Sequence, residues 1–295
     1  MSFININWYI ALAFCLFFFI GGRQLAEIPG GTPRARRAVG LILLLFAAPA
    51  ALFPFAYIPA GISGAPWYNT FRSINRIELF SALIAPAAGY VTYLRPDSPY
   101  KGYNVSAREP IIRVIKPLAF PLCVLLISIN FIGPLIKPLD KEAVYKDMWA
   151  DNEVLMQSTA QSSGPAALVS AMHSLNNYTD SEMDVVKGTY TDREGAEFWY
   201  LARYAVNRGY RARFIKPADI SDVPAPSIIT VTKIAQGSKN ETGPRSYIAL
   251  LKRSKNGILT IGDPKAGLIE LTAEDYPARY GDPDLALALS VPKGR

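Results

Sequence analysis

The sequence predicts an α-helical membrane region of about four spans followed by an α+β globular domain, and three observations carry that prediction. Apolar stretches of bilayer length recur through the first half of the 295 residues. Charge is divided unevenly: residues 1–137 hold 12 Lys and Arg against 4 Asp and Glu, while residues 138–295 hold 19 against 20. Beyond residue 138 the apolar runs shorten and glycine and proline punctuate them, as in a folded domain with turns. The chain therefore reads as a membrane region, 1–137, and an extracytoplasmic domain, 138–295.

A hydrocarbon core of about 30 Å takes about 20 helical residues to cross. Residues 3–22, 38–62, 77–94 and 115–136 are the four stretches of suitable length and composition. The first has no basic residue before it and no small-x-small cleavage pattern after it, so it reads as a retained span and not a signal peptide. Pro49, Pro54 and Pro59 fall in the second. Each removes a backbone donor, so a kinked packing helix is expected; the spans have too few ionisable side chains for a transport path. Cys15 and Cys123, in the first and fourth spans, read as small buried hydrophobes.

Arg23, Arg34, Arg36 and Arg37 lie between the first two spans, and Arg95, Lys101, Arg108, Arg113 and Lys116 between the last two. The middle connection has only Arg72 and Arg76. Basic residues stay with cytoplasmic loops, which puts the N-terminus, the middle connection and everything after residue 137 outside. Trp8, Trp67 and Trp149 then fall near the outer interface, where indoles are favoured. An integral protein of a bacterial inner membrane is the expected location, in contact with lipid through its four spans.

In the outer domain, residues 164–176 and 194–207 have helical periodicity, and residues 211–215, 227–233, 246–251, 257–261 and 268–271 read as strands. Helices followed by a run of strands is an α+β order. One histidine and two cysteines, both cysteines within spans, leave nothing for a zinc site or disulfide framework, and no cofactor is expected. The positive charge sits in loops and not on a folded domain, which excludes nucleic acid as the expected partner. No Gly-x4-Gly-Lys-Ser/Thr loop supplies an ATP site. Asn-x-Ser/Thr tripeptides at Asn104, Asn177 and Asn240 are chance-level signals, and the polar residues 235–244 read as a surface loop.

Residues 157–168, Gln-Ser-Thr-Ala-Gln-Ser-Ser-Gly-Pro-Ala-Ala-Leu, resemble the segment that opens the C39 family of papain-like cysteine peptidases: a glutamine, five residues, then Cys-Gly-Pro-Ala. The likeness continues in order through Lys187-Gly-Thr, Glu194-Gly195, Arg208-Gly209-Tyr-Arg-Ala-Arg213 and Pro224-Ala-Pro-Ser-Ile-Ile229. Ser246-Tyr-Ile-Ala-Leu250 stands where the family has His-Phe-Val-Val-Leu, and Gly262-Asp263-Pro264 matches its Asp-Pro turn. The resemblance covers residues 152–280 and implies a papain-like, C39-type α+β domain.

In such a peptidase a thiolate attacks a carbonyl, a histidine serves as base and acid, an Asp or Asn orients the imidazole, and a glutamine stabilises the oxyanion. The resemblance puts Gln157 at the oxyanion position and Asp263 at the orienting position. Ser163 stands for the cysteine and Ser246 for the histidine. A serine hydroxyl needs an adjacent base, and Ser246 is not one. His173, ten residues beyond Ser163 on the same predicted helix, lies about 15 Å along its axis and reads as a packing residue. Lys187 and Lys233 remain alternative bases that would require burial or a cationic neighbour. The expected protein is a membrane-anchored, degenerate C39-like module that binds a polypeptide or docks to a membrane protein complex outside the cytoplasm. An active peptidase using Ser163 with an unrecognised base, and a transporter-associated subunit, are the alternatives.

Overall fold

A computed structural model describes residues 5–27, 32–55, 64–93, 117–128, 144–231 and 246–292. Contacts divide the chain into two compact units. Five helices precede residue 144 in the described chain: α1 (Asn7–Glu27), α2 (Pro33–Phe55), α3 (Pro66–Ser73), α4 (Ile84–Tyr93), reached through a 3-10 turn at Ile77–Leu83, and α5 (Pro117–Ser128). All but α3 belong to the first unit; α3 groups with the residues after 144.

In the first unit, Thr32 caps α2 by accepting from the Ala35 amide at 3.2 Å, and Pro33 takes the first helical position, where its missing N–H is not needed. Arg34, Arg36 and Arg37, read from sequence as a loop, therefore form the first turn of α2. The helix continues through Pro49 and Pro54; Pro59 lies outside the described residues.

α1 and α4 meet backbone to backbone at two glycines. A Cβ on Gly22 would stand 2.1 Å from the Pro86 carbonyl oxygen, and one on Gly89 the same distance from that of Phe19. Small residues, Ala11, Cys15 and Ala26, are buried along α1, while Phe17 (70% exposed) and Leu45 of α2 (73%) face outward. Among the described residues, α1 is the one helix long and apolar enough to cross a membrane. The ends of the second and fourth predicted spans, 56–62 and 129–136, fall outside the described residues.

The second unit combines α3 with a helical layer and a sheet. A two-residue hairpin pairs β1 (Trp149–Ala150) with β2 (Val154–Leu155). Three helices follow, α6 (Ser163–Asn176), α7 (Glu182–Gly188) and α8 (Phe198–Asn207). The strands are β3 (Arg211–Ile215), β4 (Ser227–Thr230), β5 (Tyr247–Arg253), β6 (Ile258–Asp263), β7 (Gly267–Thr272) and β8 (Ala286–Ser290), with the short helix α9 (Tyr276–Tyr280) before the last. They form one antiparallel sheet in the order β3-β8-β4-β5-β6-β7.

Alternation along β5 assigns its two faces. Tyr247, Ala249 and Leu251 join a core with α6 and α8, including Leu168, Met172 and Leu201. Ile248 and Leu250 join a second core on the opposite face with Ile261, Tyr276 and Tyr280.

The predicted strands are all present with ends shifted by up to three residues, and the 211–215 strand is unchanged. The second helix starts at Phe198 and not at residue 194, because Asp192 to Gly195 close a tight turn. The Gly195 amide donates to the Asp192 carbonyl at 3.0 Å with Gly195 at φ 97°, a backbone state that favours glycine. β8, which the sequence reading did not include, is inserted between β3 and β4. The proposed surface loop at 235–244 lies outside the described residues.

Candidate functional site

The site gathers where α6 begins, β5 begins and β6 ends. Ser163 opens α6 and is 1% exposed. Next to it, Gly164 packs tightly: a Cβ there would stand 3.0 Å from the Tyr247 ring and 3.2 Å from Leu201, so those side chains would have to give by a few tenths of an ångström. That close approach seats the first turn of α6 against the first residue of β5. Tyr247 is held in turn by its hydroxyl, which donates to the Ala196 carbonyl at 2.8 Å.

Ser246 immediately precedes β5, and its carbonyl accepts from the Val231 amide at 2.9 Å, continuing the β4–β5 ladder by one step. By alternation Ser246 shares a sheet face with Ile248 and Leu250. Asp263, at the end of β6, is on that same face, because Tyr280 donates its hydroxyl to Asp263 Oδ2 at 3.0 Å. Asp263 Oδ1 accepts from the Lys265 amide at 2.9 Å and shapes the turn into β7. Both carboxylate oxygens are thus engaged in the fold. Burial, and then the Asp263 charge, push the Tyr280 phenol above its ordinary range.

Gln157 completes the corner through its backbone, whose amide donates to the Pro264 carbonyl at 2.9 Å. Its side-chain Nε2 donates to the Thr159 carbonyl at 2.9 Å. The buried Oε1 has no hydrogen-bond partner among the described residues. One of the two Nε2–H donors is therefore committed to the 157–162 loop. The structure brings the neighbours of the predicted positions together in two separate pairs: residue 157 is bonded to 264, and 164 packs on 247.

The other bases considered from sequence are elsewhere or unsuited. His173 lies within α6 with Nδ1 3.0 Å from the Tyr178 carbonyl and its ring packed at a tilt against Trp149, 4.8 Å between ring centres, the packing role expected of it. Lys187 is exposed in the last turn of α7, without the burial a basic lysine needs. Lys233 lies outside the described residues. Among the described residues no three His, Cys, Asp or Glu side chains form a metal-holding group.

One residue beside the site escaped the sequence reading. Glu182 is fully buried at the start of α7, where its amide donates to Asp147 Oδ1 at 2.7 Å. Its Oε1 accepts from the Ser158 amide at 2.8 Å and its Oε2 from the Ser158 hydroxyl. Burial raises the Glu182 carboxyl above the ordinary range, and hydrogen bonds from Ser158 and Ser162 oppose that rise. Glu182 thereby clamps the loop that carries Gln157 into Ser163. The signal available in sequence, Ser181-x-x-Asp184, marks a helix start and is used as one, with Ser181 accepting from the Asp184 amide at 3.1 Å. That pattern says nothing of Glu182 turning inward.

No protein-family model matches the chain. An uncharacterised protein of Methanothermobacter thermautotrophicus is 28% identical over 127 residues, which are 43% of this chain and 81% of that protein. Among solved structures, the chain is similar to the peptidase domain of Streptococcus ComA, a bi-functional ABC transporter of a quorum-sensing pathway: 24% identity, 48% of this chain, 99% of that one and a TM-score of 0.38. It is also similar to the ComA peptidase domain of Streptococcus mutans, at 20% identity over 47% of this chain and 98% of that one, with a TM-score of 0.34. The double-glycine-motif protease of an AMS/PCAT transporter, solved with its leader peptide, is 18% identical over 47% of this chain and 91% of its own, with a TM-score of 0.38.

Proposed function

We propose that the chain is a membrane-anchored, non-catalytic C39-like protein whose outer domain binds a polypeptide or docks to a membrane protein complex outside the cytoplasm. The observation that carries the reading is the chemistry of the corner. A buried serine, Ser163, begins the helix, and the sequence resemblance assigns a second serine, Ser246, to the position of the base. Asp263 is engaged by Tyr280 and the Lys265 amide, and no described lysine or histidine is buried there as a substitute. A serine without a base has no useful nucleophilicity near pH 7.

Anchoring through four spans is supported by the build of the first unit. Its outward faces are large and apolar, its helix contacts use glycine and alanine, and its interior keeps polar groups such as Asn5, which donates to Glu78 at 2.9 Å. That inside-out distribution suits lipid, where small residues let helices approach. The outside location rests on the charge asymmetry of the loops, and the grouping of residues 64–75 with the outer domain agrees with it, because both were assigned to one side.

The test is purification of the full-length protein from its native membrane in mild detergent, with mass spectrometry of co-purifying chains and a peptide-cleavage assay alongside. Membrane proteins at constant ratio, or exported polypeptides lost when Ser163→Trp fills the corner, would support the reading. Cleavage that disappears in Ser163→Ala would overturn it in favour of a serine hydrolase.

A further inference from the structure

We propose that α3 is an interfacial helix that moors the outer domain to the phospholipid surface, with Trp67 and Ile74 seated at the boundary of headgroups and acyl chains. The inference rests on the membrane reading above and adds a lipid-binding surface to it. α3 has two faces. Tyr68, Asn69 and Arg72 are buried, whereas Trp67 is 67% exposed and Ile74, just past the helix, is 52% exposed. Residues at 67, 70 and 74 follow one side of a helix.

The buried face fixes α3 firmly to the outer domain. The Tyr68 ring meets Trp199 edge-on at 6.0 Å, the Arg72 guanidinium lies 4.8 Å from the Trp199 ring centre, and Arg203 donates to the Arg72 carbonyl at 2.7 Å. The outward face is therefore held in one orientation and cannot be turned into the core.

Chain length then limits what that face can meet. Residues 74–76 alone separate α3 from the apolar helical stretch Ile77–Tyr93, the third span. Four steps from Ser73 to Ile77 reach at most about 14 Å. The interfacial layer on each side of the hydrocarbon core is about 6 Å deep, so α3 remains within reach of it. An indole is favoured at that depth. Of the four tryptophans, Trp8 and Trp199 are buried and Trp149 packs against His173, which leaves Trp67 as the one that is mostly exposed. Arg76, exposed at the end of the connection, supplies a cation for lipid phosphate at the same depth.

The test uses full-length protein in phosphatidylcholine–phosphatidylglycerol vesicles, with one set of acyl chains brominated close to the headgroup and another brominated near the bilayer centre. In the parent protein the shallow bromines should quench tryptophan fluorescence more than the deep ones. Trp67→Phe should reduce that difference to the part contributed by the other tryptophans, and adding Ile74→Trp to Trp67→Phe should restore it, which guards against a folding defect in either variant. The inference is overturned if Trp67→Phe instead removes the component quenched by aqueous iodide, or leaves lipid quenching unchanged, as it would if a protein partner covered Trp67. Alkaline carbonate extraction separates the two claims. Release of the chain from the vesicles refutes the membrane reading itself, whereas a retained chain with Trp67 in water refutes only the mooring.

Discussion

The guanidinium of Arg203 donates through Nη2 to the backbone carbonyl of Arg72 at 2.7 Å and joins residues 131 positions apart. Both are almost fully buried, so the bond forms away from competing water. A charged donor to a buried carbonyl is worth about 2 kcal/mol. Arg203→Ala should lower the stability of the outer domain by about that much and speed amide exchange at residues 66–73. Hydrogen-exchange mass spectrometry of the full chain would measure it, and unchanged exchange there would show that α3 is held by its ring contacts alone.

The glycine contacts between α1 and α4 permit a controlled comparison. Gly22→Ala and Gly89→Ala place a methyl group against backbone that has no soft alternative, at an expected cost of about 3 kcal/mol each. Gly21→Ala has open space around the added carbon and should be neutral or slightly stabilising. Thermal unfolding of the three variants in detergent checks the contrast.

The raised carboxyl of Glu182 makes a pH prediction with a definite sign. A carboxyl whose folded pKa exceeds its unfolded value favours the folded state most below the unfolded pKa, about 4.3 for glutamate, and loses that contribution as pH rises through the folded value. The parent's melting temperature relative to Glu182→Gln should therefore fall as pH is raised from about 4 through the folded pKa. A difference that stays flat or grows across that range would mean the hydrogen bonds from Ser158 and Ser162 outweigh burial.

Topology gives a fourth prediction. A reporter active only outside the cytoplasm should be active after Arg295 and when inserted near Asn75, and silent when inserted at Lys101. Activity at Lys101 together with silence at the other two positions would reverse the orientation.

Much of the second unit was legible because its pattern is local. Residues 211–214 alternate polar and apolar side chains, and the Ser163-Gly-Pro start of α6 fixes a helix boundary whose glycine packs tightly on Tyr247. β8 was not legible: Ala286-Leu-Ala-Leu-Ser has no β-branched or aromatic residue, and its place between β3 and β4 is a long-range pairing that no window of sequence contains. The four candidate positions, Gln157, Ser163, Ser246 and Asp263, come from an ordered motif set. Glu182 was missed because burial, not spacing, gives a carboxylate its role. The association of residues 64–75 with the outer domain depends on Trp199 and Arg203, which lie more than 120 residues away, and hydropathy alone marks that segment only as a connection.

The position of β8 has a consequence for biogenesis. Until Ser290 has been synthesised and delivered, β3 and β4 have no strand between them, and each carries a row of unpaired amides and carbonyls. The second unit emerging in chain order would therefore hold a lone strand, β3, and a four-stranded sheet, β4-β5-β6-β7, each with an edge open to pairing with other chains. Maturation would wait for the last strand, so a stall or truncation before Ala286 should send the nascent domain to aggregation or degradation, not leave a shortened but working form.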